Sequence, residues 1–154
     1  MRPIALAACA LTLALATAAA PVHADDAADV ATRWGLLGVW KADCARGPSR
    51  ADVAVRYIVR DGRLWQERDD GNAIESNVVS HAERTGDGML ELTVVVAPPG
   101  QAQTFVLKRE KDGQFLVWSN RSIGSDRYTI RDGKFTDGNG ARPLLTQCSR
   151  YGGN

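Results

Sequence analysis

The chain has 154 residues, and 19 Lys and Arg nearly balance 18 Asp and Glu, with the two signs interleaved. This composition excludes a basic nucleic-acid footprint, which needs clustered positive charge, so no nucleic-acid partner is expected. The size suits one domain with one hydrophobic core.

The first 24 residues have the layout of a secretory signal peptide. Arg2 precedes an Ala-rich apolar run over residues 4–20, and Val22-His23-Ala24 places small residues before a cut at Asp25. A membrane anchor is the alternative, but the run of about 17 residues lies at the lower limit for a span. Cys9 ends a lipoprotein-like Leu-Ala-Ala-Cys box, which comes too early in the apolar region to act as one.

We therefore expect a mature chain of residues 25–154, a single domain with a formal charge of zero and no membrane segment after cleavage. Its expected location is the periplasm or the outside of the cell.

After the leader, the chain predicts one short helix. Residues 25–34 are Ala-rich, and Asp25 or Asp26 can accept hydrogen bonds from the free N–H groups of the first turn. Gly35 and Gly38 end the helix.

Turn sequences such as Asp-Gly, Asp-Gly-Asn and Pro-Pro-Gly then recur through the chain. They supply the positive φ angles of tight turns, and gaps of 9 to 17 residues between them are typical of a β-sandwich or barrel. The segments between turns alternate apolar and polar side chains, as antiparallel strands with one solvated face do. The predicted strands are 36–43, 52–60, 63–69, 73–84, 89–97, 103–111, 114–120, 127–132 and 144–149. Both faces of strand 73–84 carry polar as well as apolar residues, so the pattern does not show which face points inward.

Short connections favour an up-and-down meander, and closing the meander removes its two exposed edges. The predicted fold is an all-β antiparallel barrel of eight or nine strands with a short N-terminal helix. In a closed barrel the first and last strands are neighbours.

Cys44 and Cys148 are the two cysteines of the mature chain, 104 residues apart. An even pair in an exported domain indicates a disulfide, with two free thiols as the alternative. His81 is the only histidine after the leader, and no cysteine pair has zinc spacing, so neither a metal nor a cofactor is predicted.

The Gly38-Val39-Trp40 step, which follows the helix and opens the first strand, resembles the first signature of lipocalins and related calycins. The resemblance implies that Trp40 caps the closed end of a barrel and that Arg150 packs over it. The chain is also similar to bacterial metalloprotease inhibitors of the Inh type, with their signal peptide, Leu-x-Gly-x-Trp start, eight-stranded barrel and one disulfide.

The residues whose side chains could act in catalysis are better explained by structural roles. His81 shares a strand face with Glu83 but lacks a nucleophile nearby. The carboxylates at Glu67, Asp69 and Asp70 lie beside a turn, and residues 137–140 lack the later ligands of a calcium loop. We therefore expect a protein that is not an enzyme.

Four aromatic residues are the candidate ligand-binding residues: Tyr57, Trp65, Trp118 and Tyr128. They lie on different strands, and inward-facing side chains at these positions would line a cavity with polar handles; core packing is the alternative. The expected function is a lipocalin-like carrier of a small hydrophobic molecule. The alternative is an inhibitor of a secreted or periplasmic enzyme.

Overall fold

The computed structural model describes residues 26–96, 100–138 and 144–150. These residues form one helix, α1 (Ala27–Trp34), a 3-10 turn (Lys111–Gly113) and ten strands. The strands are β1 (Gly38–Lys41), β2 (Ala54–Arg60), β3 (Arg63–Asp69), β4 (Ile74–Arg84), β5 (Leu90–Val96), β6 (Gln101–Arg109), β7 (Phe115–Ser122), β8 (Tyr128–Arg131), β9 (Lys134–Phe135) and β10 (Leu144–Arg150). The predicted signal peptide, residues 1–24, lies outside the described residues.

Eight of these strands form a closed antiparallel barrel. Strand β10 pairs with β1, strands β1 to β7 follow in chain order, and β10 closes the circle on β7. The closing contact consists of Leu144 opposite Leu116 and Leu145 opposite Phe115. Strands β8 and β9 form an additional hairpin on the second half of β7. The predicted barrel with a short N-terminal helix is confirmed.

Helix α1 covers one end of the barrel. Its first turn is capped by Asp26, whose carboxylate accepts a hydrogen bond from Ala28 N at 3.2 Å. Its buried residues, Ala28, Val30 and Ala31, belong to the main core. The largest fully buried side chains in the described chain are those of Trp40, Tyr57, Phe115, Leu36, Leu64, Leu90, Leu92, Leu107, Leu116 and Val94.

Several β-bulges interrupt the regular pairing. In β4, Val79 faces Val94 and His81 faces Thr93, so Ser80 is the extra residue. In β7, Trp118 is the extra residue between the partners of Val106 and Leu107. A bulge switches the face to which the later side chains of a strand point. The buried residues of β4 are accordingly Asn77, Val79 and then Ala82.

The disulfide joins Cys44, just after β1, to Cys148 in β10, with Cα atoms 5.3 Å apart. Cys148 is itself an extra residue, because Val39 pairs with Ser149 and Trp40 pairs with Gln147. The bulge removes Cys148 from the regular pairing with β1, beside the loop that carries Cys44. The predicted Cys44–Cys148 bridge is confirmed.

Candidate functional site

Tyr57 is the one predicted ligand-binding residue whose side chain is buried inside the barrel, with 2% of its surface exposed. Its hydroxyl oxygen accepts a hydrogen bond from Gln66 Nε2 at 2.9 Å. Burial raises the pKa of Tyr57 to about 12, because the phenolate would lose its hydration, although the Gln66 bond and the charge of Arg68 oppose the shift. The hydroxyl therefore stays protonated at neutral pH.

The two tryptophans predicted to line a cavity lie on the outside of the barrel. Trp65 pairs with Ile58 and Val78, on the opposite face of β3 from the buried Leu64 and Gln66. The guanidinium of Arg60 lies 4.2 Å from the Trp65 ring centre. A cation in this position is attracted to the negative face of the ring.

Trp118 occupies a separate outer groove of about 450 Å³ between β7 and the β8–β9 hairpin, together with Leu116 and Phe135. Lys108 Nζ lies 5.0 Å from the Trp118 ring centre. Tyr128 is partly buried, and the Arg131 guanidinium lies 4.2 Å from its ring centre. The four predicted aromatics are thus distributed over different surfaces and do not line one cavity.

The helix-covered end of the barrel contains the predicted Trp40 cap. Trp40 is fully buried, and its ring centre lies 4.6 Å from that of Phe115. The arginine over this cluster is Arg109, whose guanidinium lies 5.4 Å from the Trp40 ring and 4.2 Å from the Trp34 ring. Arg109 Nη2 also donates to the carbonyl oxygens of Trp34 and Gly35, both at 2.8 Å. Arg109 therefore holds the position over Trp40 that the family resemblance assigned to Arg150.

Arg150 is exposed at the end of β10 and lines a groove that also contains Arg109. The structural role predicted for Gly38 has a clear physical basis. A Cβ atom there would lie 2.3 Å from the carbonyl oxygen of Ser149, closer than real Cβ contacts.

The residues considered for catalysis have structural partners. His81 is exposed, with Nε2 3.6 Å from Glu83 Oε2, in a groove of about 480 Å³ between α1 and β4. Asp69 and Asp70 accept hydrogen bonds from backbone N–H groups of residues 71–73, which shapes the β3–β4 turn. Within the described ranges no group of three or more His, Cys, Asp or Glu is placed to hold a metal ion.

A continuous apolar row crosses the outer face of five adjacent strands, β2 to β6. Each member is the direct pairing partner of the next: Ile58, Trp65, Val78, Val95 and Ala102. All five are partly exposed. We call this set the outer apolar row.

The surroundings of the outer apolar row are mostly polar. Ser76 and Ser80 flank Val78 along β4, and Thr93 flanks Val95 along β5. Two exposed isoleucines extend the apolar surface: Ile74, on the same outer face of β4, is 62% exposed, and Ile123 is 50% exposed. Ile123 lies beside the row, because its backbone N–H donates to the carbonyl oxygen of Ala102 at 2.8 Å.

Sequence reasoning missed the outer apolar row, although a signal is present. The strands that form it carry apolar residues on both faces, in the stretches 57–59, 64–65, 78–79 and 94–96. Alternation identifies the buried face of a strand, but by itself it gives no role to apolar residues on the other face. Consecutive apolar residues in a strand with one solvated face mark such an outer patch.

The fold and the surface together define a small antiparallel β-barrel with a disulfide, a buried tryptophan at its helix-covered end and an apolar row on its outer face. Comparison with protein-family models, curated proteins and solved structures gave no significant match. The barrel is consistent with the lipocalin-like architecture expected from the Gly-x-Trp start. Among the described residues, the helix is too short to cross a membrane.

Proposed function

We propose that this chain is an exported, non-catalytic binding protein that docks another protein on its outer apolar row. The observation that carries the proposal is the direct pairing of five apolar side chains across β2 to β6 on the face of the barrel that normally meets water. Contiguous exposed apolar surface with a polar border is typical of interaction sites. Inhibition of a secreted or periplasmic enzyme is one form of this function.

Trp65 is the expected energetic centre of the surface. Tryptophan is enriched among residues that dominate binding energy, particularly near the middle of an interface. The disulfide between Cys44 and Cys148 supports export to an oxidising compartment.

The first test is site-specific photo-cross-linking in the source organism. A photoreactive phenylalanine analogue replaces Val78, at the middle of the outer apolar row, or Ser119 on β7, away from the row. We expect a protein adduct at position 78 that is much weaker at position 119. The cross-linked partner is then identified by mass spectrometry, purified and titrated against the intact mature chain.

In that titration we expect Trp65→Ala to weaken binding roughly 30-fold, as loss of an interface centre does. Trp118→Ala is the matched control, because Trp118 is also an outer tryptophan beneath a cation but lies off the row. Ile58→Thr is a milder second variant, and near-UV circular dichroism shows whether each variant is folded. Equal adducts at positions 78 and 119, or equal binding by the two folded tryptophan variants, would refute the proposal.

A second candidate function is the lipocalin-like carrier. It is favoured by polar side chains inside the barrel, where Tyr57 pairs with Gln66 and Asn120 Nδ2 donates to Gln103 Oε1 at 3.1 Å. A few convergent polar groups in an apolar setting are what small-ligand sites use for orientation. Native mass spectrometry of the mature protein tests this: an added small mass, lost on denaturation, supports a carrier, and a bare monomer mass argues against one.

A further inference from the structure

Positive charge collects where the outer apolar row begins, on β2 and β3. Arg60 and Arg63 are direct pairing partners, although like charges placed opposite each other destabilise a sheet. Arg56 lies on the same outer face of β2, on the other side of Ile58 from Arg60. Three arginine positions therefore border Ile58 and Trp65 on the outer face, and the guanidinium of Arg60 lies over the Trp65 ring.

Carboxylates compensate this charge only in part. Glu67 is 3.4 Å from Arg56 Nη1 and 3.6 Å from Arg60 Nη1, so one carboxylate serves two arginines. Asp61, in the β2–β3 turn, supplies a second carboxylate beside Arg60 and Arg63. Asp69, the next carboxylate on the outer face of β3, lies four residues from Trp65 and accepts a hydrogen bond from Gly71 N. Beside Ile58 and Trp65 themselves, three arginines therefore face two carboxylates.

The other end of the row is also bordered by a cation. Arg121 is exposed and is the pairing partner of Thr104, on the outer face of β6. The carboxylates of Glu83 and Glu91 face each other further down the outer surface. Glu91 lies four residues along β5 from Val95, about 13 Å at the rise of a strand, where exposed charges are largely screened.

This distribution disfavours a second copy of the chain as the occupant. A two-fold axis near Val78 would superpose the two apolar rows. It would bring the cationic Arg60–Arg63 end of one copy against either the same end or the Arg121 end of the other. Like-charge juxtaposition at an interface is costly, so the charges point to a partner of the opposite sign.

We infer that the occupant of the outer apolar row is a protein segment with an apolar centre bordered by aspartate or glutamate. The inference rests on the proposed docking function and specifies the chemistry of the partner. Carboxylates at the border would bind the guanidinium groups of Arg60 and Arg63, which suit paired hydrogen bonds to carboxylate oxygens.

Two fluorescein-labelled peptides test this inference on the purified mature chain. They share a Leu-Trp-Leu centre and carry Glu-Glu or Lys-Lys on both sides, and fluorescence anisotropy reports their binding. At about 100 mM salt, where charges about 13 Å away are largely screened, we expect the Glu peptide to bind roughly ten-fold more tightly than the Lys peptide, with a smaller difference at about 500 mM salt.

Variants locate the effect on the surface. Arg60→Gln with Arg63→Gln is expected to remove the preference for the Glu peptide, and Arg63→Gln alone to reduce it while leaving Arg60 over Trp65. Arg131→Gln is the matched control, because this arginine stacks on Tyr128 away from the row. A preference for the Glu peptide that the Arg60/Arg63 variant retains would overturn the inference.

The remaining outcomes separate the inference from the proposed function. Equal binding of both peptides that Trp65→Ala abolishes would leave the docking surface in place and overturn the acidic partner. If neither peptide binds, the inference is overturned, and the cross-linking at position 78 decides the proposed function by itself.

Discussion

Tyr57 links the interior of the barrel to the pH dependence of its stability. Burial raises the pKa of this hydroxyl from 10.0 to about 12. In the unfolded chain the hydroxyl of Tyr57 ionises with its usual pKa. The contribution of the buried, protonated Tyr57 to stability is therefore complete below pH 10 and is lost as the pH rises toward 12. We expect the free energy of unfolding to fall by up to about 3 kcal/mol across this window.

Denaturant unfolding at pH 9, 10 and 11 measures this effect. Tyr57→Phe lacks the ionisable hydroxyl and is expected to flatten the decline, although it leaves the Gln66 amide without its partner. Tyr128→Phe is the matched control, since Tyr128 is partly exposed and contacts Arg131. An equal decline in the Tyr57→Phe variant would assign the pH dependence to other groups.

Single residues differ in how far the sequence reveals their role. The buried position of Trp40 agrees with what the resemblance to the lipocalin signature implies. The arginine that covers it is not evident from the sequence, because Arg109 reaches the Trp40 ring only once the barrel closes and α1 packs across its end. Arg150 and Arg109 both line the groove at this end, and only the folded barrel shows that Arg109 is the one whose guanidinium lies over the Trp40 ring.

At the scale of elements, alternation predicts the strands well and their faces less well. The bulges at Ser80 and Trp118 change which side chains face inward within one strand. Strand β4 therefore places Asn77 and Val79 inside before the bulge and Ala82 inside after it. A pattern with one fixed period cannot represent this switch, and strand 73–84 accordingly had no clear inward face in the sequence.

The close approach of β1 to β10 gives an element-scale prediction. Gly38 has a φ of 135°, and a Cβ there would lie 2.3 Å from Ser149 O and 2.9 Å from Gln147 Nε2. The Ser149 oxygen belongs to the backbone, so β10 must move away from β1. We expect Gly38→Ala to lower the free energy of unfolding by about 2–4 kcal/mol, from both the contact and the unfavourable φ.

Denaturant unfolding measures the loss, with Gly86→Ala as the matched control. A Cβ at Gly86 meets no atom within 4 Å, and this glycine is not among those with positive φ. A Gly38→Ala protein as stable as the Gly86→Ala protein would mean that the two strands separate at little cost.

The whole molecule depends on joining its first and last strands. The sequence predicts this closure from the meander and from the two cysteines, which is why the barrel could be anticipated without a homologue. The outer apolar row could not be anticipated in the same way, because it forms only when five strands take their registers. The closing contact of β10 with β7 involves two residue pairs in the described strands. The disulfide adds a covalent tie on the β1 side of β10.

Removing that tie tests how far closure depends on it. The bridge spans a sequence separation of 104 residues, and the chain-entropy relation gives it about 4–5 kcal/mol. We expect Cys44→Ala with Cys148→Ala to lower the guanidinium midpoint of unfolding by about 1 M. Reduced wild-type protein should match the double variant, and reductant should not affect the variant. If reduction leaves the midpoint unchanged, strand pairing alone closes the barrel, and the bridge serves to hold the loop over residues 42–53 against β1 and β10.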